Sequence, residues 1–407
     1  MMDLKTIQNE CDVAAQTVCW GVNLAIIGFC FNFQWDIPLI VLTIVGVISA
    51  SIEAKYTSLW RQPIIIALSL FILSGLVSII VSDDIERSWR MSRIFLPAIL
   101  IFILIAQHFN WRALQNLCIV FTILTIGLSM ALIWIALSNW MQTPTDWIKS
   151  LGSPMLVVPN DVTLFSTLMP FSLALLLHRN KLIIHILAAL SIILGLMSMV
   201  LLKSRAALIS EIVVIIWMLF FLKPRYVLFF SFGIVCPLLM VDWLMGFPLI
   251  AKHGFLADTR LRVWLAAWRM FLDSPLWGHG PRTFLLFYQD YLPTTEALAW
   301  LPMPIDNRLM PWAHNLYLEL LAEQGIVGFV TFIYLLYALF STLLHIVNIE
   351  QGIIRTFAIC VLASLCSYCA AAILESSFLR QWIVIMFFIL SAITCLLSQH
   401  KSTRMNF

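Results

Sequence analysis

His314 stands immediately before a long apolar run and is followed by Asn315, Glu319 and Glu323. At the edge of a membrane a neutral imidazole can take a proton from a hydroxyl, or hold that hydroxyl by a hydrogen bond. Glu319 and Glu323 are four residues apart, so a helix sets them on one face. A carboxylate just inside lipid needs a partner, and Arg205 or an arginine of the preceding loop is the expected one. Upstream, Arg260 and Trp264 share a helical face on which a guanidinium can lie against an indole. Arg262 and Arg269 share another. Lys203 and Arg205 flank a tight turn between two apolar runs, and Arg87, Arg90 and Arg93 crowd a short polar stretch. Arginine presents a planar fork of donors to phosphate oxygens, so these cations are candidate phosphate ligands. Each has a plainer alternative. Helix-end arginines snorkel to headgroups, basic amphipathic helices lie on membrane interfaces, and a lone histidine can be purely structural. His253 and His279 compete with His314 in the same loop.

The elements that must position these groups are membrane helices. Hydrophobic residues make up 62% of the 407-residue chain and charged residues 11%, too few charges to cover a soluble domain of this size. An all-α, polytopic membrane protein is expected. At roughly 20 apolar residues per crossing, twelve runs qualify, near 15–33, 37–53, 63–81, 94–108, 113–138, 161–178, 182–202, 206–222, 226–247, 316–346, 355–374 and 382–398. The short connections 178–181 and 223–225 and the tail 401–404 are basic, which places them in the cytoplasm together with both termini. Three regions then face the other side: Ser82–Arg93, Asn139–Asn160 and Gly246–Ala313. The outer side holds more basic residues than the insertion rule favours, as if positive charge were needed there.

The chain thus divides into residues 1–245 with nine helices and short loops, 246–315 as a large outer loop with short helices and catalytic elements, and 316–407 with three helices and a cytoplasmic tail. Within the loop, 258–273 reads as an amphipathic helix capped by Asp258 or Thr259 and followed by Pro275. The segment 274–280 reads as a glycine-permitted turn. None of the nine cysteines lies in the large loop, so no disulfide framework is expected. Cys366 and Cys369 fall inside an apolar run and read as packing residues rather than a redox or zinc pair. No cleavable leader is read at the amino terminus. No P-loop, GxGxxG or DxD motif occurs, which argues against a nucleotide or nucleotide-sugar donor on the cytoplasmic side. A transporter or lipid flippase is the competing class. It needs ionisable groups or broken helices at depth, for which Glu211, Asp242, His185, Pro170 and Pro237 are the few candidates.

In order along the chain, Ser204-Arg205-Ala206-Ala207, Arg260-x-x-x-Trp264, Ser274-Pro275-Leu276-Trp277-Gly278-His279-Gly280, and His314-Asn315 through Glu323-x-Gly325-x-x-Gly328 resemble the O-antigen ligase/polymerase superfamily of bacterial inner-membrane glycosyltransferases, most closely its ligases. Trp277 and His279 depart from the small or aliphatic residues usual at their positions. The resemblance implies a metal-independent enzyme with no cofactor. It would move an undecaprenyl-diphosphate-linked glycan onto lipid A–core oligosaccharide at the periplasmic face of the inner membrane. It implies His314 as general base or acceptor-hydroxyl ligand, with Arg205 and Arg260 on the donor diphosphate. Arg262, Lys203, Arg87, Arg90, Asn315, Glu319 and Trp264 are expected around the substrates. Partners are then the lipid-linked donor, the lipid acceptor and membrane lipids, with no nucleic acid. A polymerase or a protein O-oligosaccharyltransferase is the alternative within the superfamily.

Overall fold

The computed structural model describes residues 13–31, 36–50, 62–140, 163–177, 181–202, 205–222, 224–226, 240, 260–292, 310, 312–374, 378 and 381–405. Every regular element among them is a helix, as lipid demands of a chain whose backbone groups must bond within their own segment. In chain order these are α1 (Val13–Phe31), α2 (Asp36–Ala50), α3 (Pro63–Ile80), α4 (Ile85–Ser92), α5 (Phe95–His108), α6 (Trp111–Trp140), α7 (Thr163–Leu177), α8 (Leu182–Leu201), α9 (Arg205–Leu222), α10 (Arg260–Asp273), α11 (Phe284–Phe287), α12 (Leu316–Ile349), α13 (Gly352–Leu374) and α14 (Gln381–Met405).

Among the described residues seven helical stretches are long and apolar enough to cross a membrane. Parts of α1, α2, α7 and α9 are shorter apolar helices. These helices follow the apolar runs of the sequence. The run 226–247 falls outside the described residues except for Met240. The cap expected at Asp258 or Thr259 falls outside them too, although α10 itself forms where an amphipathic helix was read.

α12, α13 and α14 form the middle of the bundle. α12 packs on α3, α10 and α13, α13 packs on α7 and α9, and α14 packs on α5. Where α3, α12 and α14 meet, aromatic rings interlock: the Phe332 centroid lies 5.5 Å from Phe71 and 5.5 Å from Phe387. At the opposite end of α14, Ser398 Oγ donates to Gln62 Oε1 at 2.8 Å and fixes the start of α3. The candidate site lies at the other end of α3, where α4, α10, α11 and the start of α12 converge.

Phe332 is buried at the centre of this ring cluster. Phe332→Ala should therefore destabilise the protein by about 3–5 kcal/mol, read as a lowered thermal midpoint of the detergent-solubilised protein. An exposed neighbour such as Val330→Ala should leave that midpoint nearly unchanged.

Candidate active site

α12 is not one continuous helix. Gly325 has φ 64° and ψ −166°, and the backbone breaks there. A break inside an apolar helix strands carbonyls before it and amides after it, and each needs a partner. The turn 274–283 supplies them. The amides of Ile326 and Val327 donate to the carbonyls of Pro275 (2.8 Å) and Leu276 (3.3 Å). The carbonyls of Ala322 and Glu323 accept from the amides of His279 (3.1 Å) and Gly280 (2.8 Å). The two backbones touch. A Cβ on Gly325 would sit 2.3 Å from the Leu276 oxygen, and one on Gly278, at φ +68°, would sit 2.3 Å from the Glu323 carbonyl carbon. Two sequence marks that read separately are thus the two halves of one joint.

α3 and α4 clamp the joint from the other side. Ser78 Oγ bridges the carbonyls of Trp277 (2.8 Å) and Glu323 (3.0 Å). Ser82 Oγ and the Asp83 amide both donate to the His279 carbonyl, at 3.0 and 3.1 Å. The His279 ring is buried, with Nδ1 2.6 Å from Asp83 Oδ2 and Nε2 3.1 Å from the Met270 carbonyl. Both its nitrogens are committed to the fold, so His279 is a tie between the α3–α4 connection, α10 and the turn and not a rival to His314. Beside it, Tyr291 donates to Asp273 Oδ2 at 2.5 Å. Burial, then that carboxylate, push the Tyr291 phenol up to about 12, so it remains a neutral donor.

Arg282 was not singled out in the sequence. It has φ 66°, its side chain is buried, and Nη2 donates to the Phe378 carbonyl at 2.6 Å. Burial lowers the pKa of this guanidinium, while the charges of Glu323 and then Glu319 raise it. Arg282 is therefore the loop arginine that answers the two carboxylates of α12. Each carboxylate also accepts a backbone amide: Glu323 Oε1 from Phe284 at 3.0 Å, and Glu319 Oε2 from Ala313 at 3.2 Å. The Gly-His-Gly turn followed by Pro281-Arg282 was the signal available for it.

His314 is held by its neighbours. Asn315 is the N-cap of α12 and accepts from the Tyr317 and Leu318 amides at 3.0 and 3.1 Å. Glu319 grips the amide just before His314. His314 itself adopts φ 52°, a left-handed conformation uncommon for a non-glycine residue. Its Nδ1 accepts from Trp312 Nε1 at 3.1 Å. An indole N–H can only donate, so the neutral imidazole in this arrangement carries its proton on Nε2.

α10 stands against this assembly. Val263, Ala266, Ala267 and Met270 share one small core with Ala313, Ala322, Phe284 and Tyr288. Arg260, Arg262 and Trp264 are half-buried on α10, and Arg262 Nε has no hydrogen-bond partner among the described residues. One packed unit therefore carries both these arginines and the residue preceding His314. The remaining candidates lie elsewhere. Arg87 Nε donates to the Arg282 carbonyl at 3.3 Å. Arg90 pairs with Glu86 on the exposed face of α4. Asn315 and Glu319, expected near substrate, are buried and bonded to backbone, and so act as supports for His314. Arg205 opens α9, and Lys203 lies outside the described residues.

The family model described as O-antigen ligase matches residues 164–333, from α7 through the broken part of α12. Over that stretch the chain is similar to the O-antigen ligase family. No curated protein matches the chain. All the interlocked groups from α10 to the break at Gly325 lie inside the matched segment, whereas the clamp from α3 and α4 lies outside it.

Two outcomes follow from this geometry. Gly325→Ala should cost about 1–3 kcal/mol from backbone strain alone, with further loss from the clash against Leu276, again seen as a lower thermal midpoint. Arg282→Ala removes the buried guanidinium that holds the Phe378 carbonyl and offsets the charges of Glu323 and Glu319, and should destabilise by about 1–3 kcal/mol. Arg282→Lys should recover only part of this, because one ammonium cannot reproduce the fork.

Proposed function

We propose that this protein is a glycosyltransferase of the O-antigen ligase type. It moves a glycan from an undecaprenyl-diphosphate carrier to a hydroxyl of lipid A–core oligosaccharide, at the periplasmic face of the bacterial inner membrane. Both termini lie in the cytoplasm, and twelve crossings complete the layout. The observation that carries this reading is the cradle of His314, built inside the segment that matches the O-antigen ligase family.

In the reaction the bond between the anomeric carbon and the diphosphate oxygen breaks, and a bond from that carbon to the acceptor oxygen forms. The diphosphate gains negative charge, which Arg205 and Arg260 stabilise, with Arg262 and Lys203 as further cations for the substrates. The Trp312 hydrogen bond favours one of the two tasks open to His314. With the proton on Nε2, the ring begins as a donor that holds the acceptor oxygen, and the hydroxyl proton passes to the departing diphosphate. No metal or nucleotide is assigned a part.

The basic residues of α4 bear on the choice between ligase and polymerase. A polymerase must hold a second lipid-linked diphosphate, and Arg87, Arg90 and Arg93 form the basic cluster that could hold it. Arg87 is engaged by the Arg282 carbonyl and Arg90 by Glu86, which leaves Arg93 alone, and one guanidinium falls short of the basic pair a second diphosphate needs; this supports the ligase reading. The crowding of charged groups at one end of the bundle favours a fixed enzymatic site over a flippase.

His314→Ala should abolish transfer in reconstituted membranes without loss of expression or folding. If His314 holds the acceptor by donation, His314→Gln should keep more activity than His314→Ala; equal loss in both would return the residue to the role of base. Near-normal transfer by His314→Ala would remove it from the mechanism. Transfer should also survive a chelator with no added nucleotide, and rescue by magnesium or manganese after chelation would overturn the metal-free scheme.

A further inference from the structure

A groove of about 200 Å³ opens on the outside of the bundle between α3 and α5, bordered by α4. Its walls are hydrocarbon: Phe71 and Leu76 from α3, Phe95 and Ile99 from α5. Two features set it apart from an ordinary lipid-facing crevice. The first is charge. Arg93 lines the groove, is exposed, and makes no hydrogen bond or ion pair among the described residues, unlike Arg87 and Arg90 of the same helix. The second is an unmet polar demand. Gln324 lines the groove with its side chain 5% exposed, and its Oε1 has no hydrogen-bond partner among the described residues. The same holds for Ser92 Oγ. A buried polar atom left unsatisfied is costly, so groups like these are normally paired.

We propose that the groove is a binding site for one anionic glycerophospholipid, independent of the donor and acceptor sites. An acyl chain lies along α3 and α5, the phosphodiester meets Arg93, and a headgroup hydroxyl donates to Gln324 Oε1. Trp89, exposed beside Arg93, anchors the interfacial end, where indoles settle. The charge count selects this class of lipid. One unpaired guanidinium suits a singly charged phosphodiester, whereas a diphosphate carries more charge than the rim of this groove balances. The hydroxyls of a glycerol headgroup provide the donor that Gln324 lacks, which a choline headgroup cannot.

The position gives the lipid something to act on. The inner wall of the groove includes Pro281 and Gln324, the neighbours in sequence of Arg282 and Glu323. A bound lipid therefore buttresses the joint between the turn and α12 from the membrane side.

The test is lipid retention by the purified full-length protein. Nanodiscs or detergent micelles would carry equal amounts of phosphatidylglycerol and phosphatidylcholine, and bound lipid would be counted by native mass spectrometry. Phosphatidylglycerol should be retained in preference. Arg93→Ala should weaken that retention about fivefold, the effect of one basic residue at an anionic surface. Leu76→Trp, a change at a position 42% exposed that fills the groove without touching the core, should abolish it. Equal retention of the two lipids, or unaltered retention in both variants, would overturn the proposal. So would displacement of phosphatidylglycerol by a polyprenyl phosphate in an Arg93-dependent manner, which would make the groove a carrier site. None of these readouts depends on glycosyl transfer, so a failure here and a failure of the proposed function are separable.

Discussion

A broken helix in a membrane must have its backbone partners brought to it, and the architecture around the candidate site follows from that requirement. Gly325 interrupts α12 where the helix is buried against the turn, so the freed amides and carbonyls need protein partners. The turn between α10 and α11 meets the demand with four backbone hydrogen bonds. Because two backbones must touch, side chains are excluded at Gly278 and Gly325. Because the turn must be rigid, α3 and α4 hold it with serine hydroxyls and the Asp83–His279 contact. The joint fixes the first turns of α12, and with them the place where His314 enters.

Charge is managed by the same construction. Glu319 and Glu323 are buried at a depth where a lone carboxylate would be strongly disfavoured, and Arg282 is buried with them. Each acidic side chain also accepts from a backbone amide, so the three side chains act as structural pins across α11, α12 and the loop. This separates two kinds of polar residue at one end of the bundle. The buried set positions. The half-buried set on α10, with His314, is the set proposed to meet substrate.

The helices were legible in the sequence because lipid imposes one length and one composition on a crossing. Asn315 could equally be read as a helix cap from its place before an apolar run, yet the resemblance drew it toward substrate. The Asp83–His279 pair spans 196 residues of chain, and no local pattern announces it. His279 looked like an unexplained departure from its family's usual residue, and its contacts with Asp83 and Met270 now account for it. Arg282 was passed over because it lies in a loop among other arginines. Only the tertiary fold shows which of them is buried within reach of the Glu323 charge.

The central claim is that one protein, through a site at this end of the bundle, transfers a lipid-linked glycan to a lipid acceptor. Its most direct test is reconstitution of the purified protein alone in liposomes, with a lipid-linked glycan as donor and both lipid A–core and a second lipid-linked unit as acceptors. The account predicts glycan on lipid A–core, formed with no other protein. Elongation of the carrier-bound glycan alone would contradict the ligase assignment, and movement of the carrier across the bilayer with no new glycosidic bond would contradict the enzymatic reading.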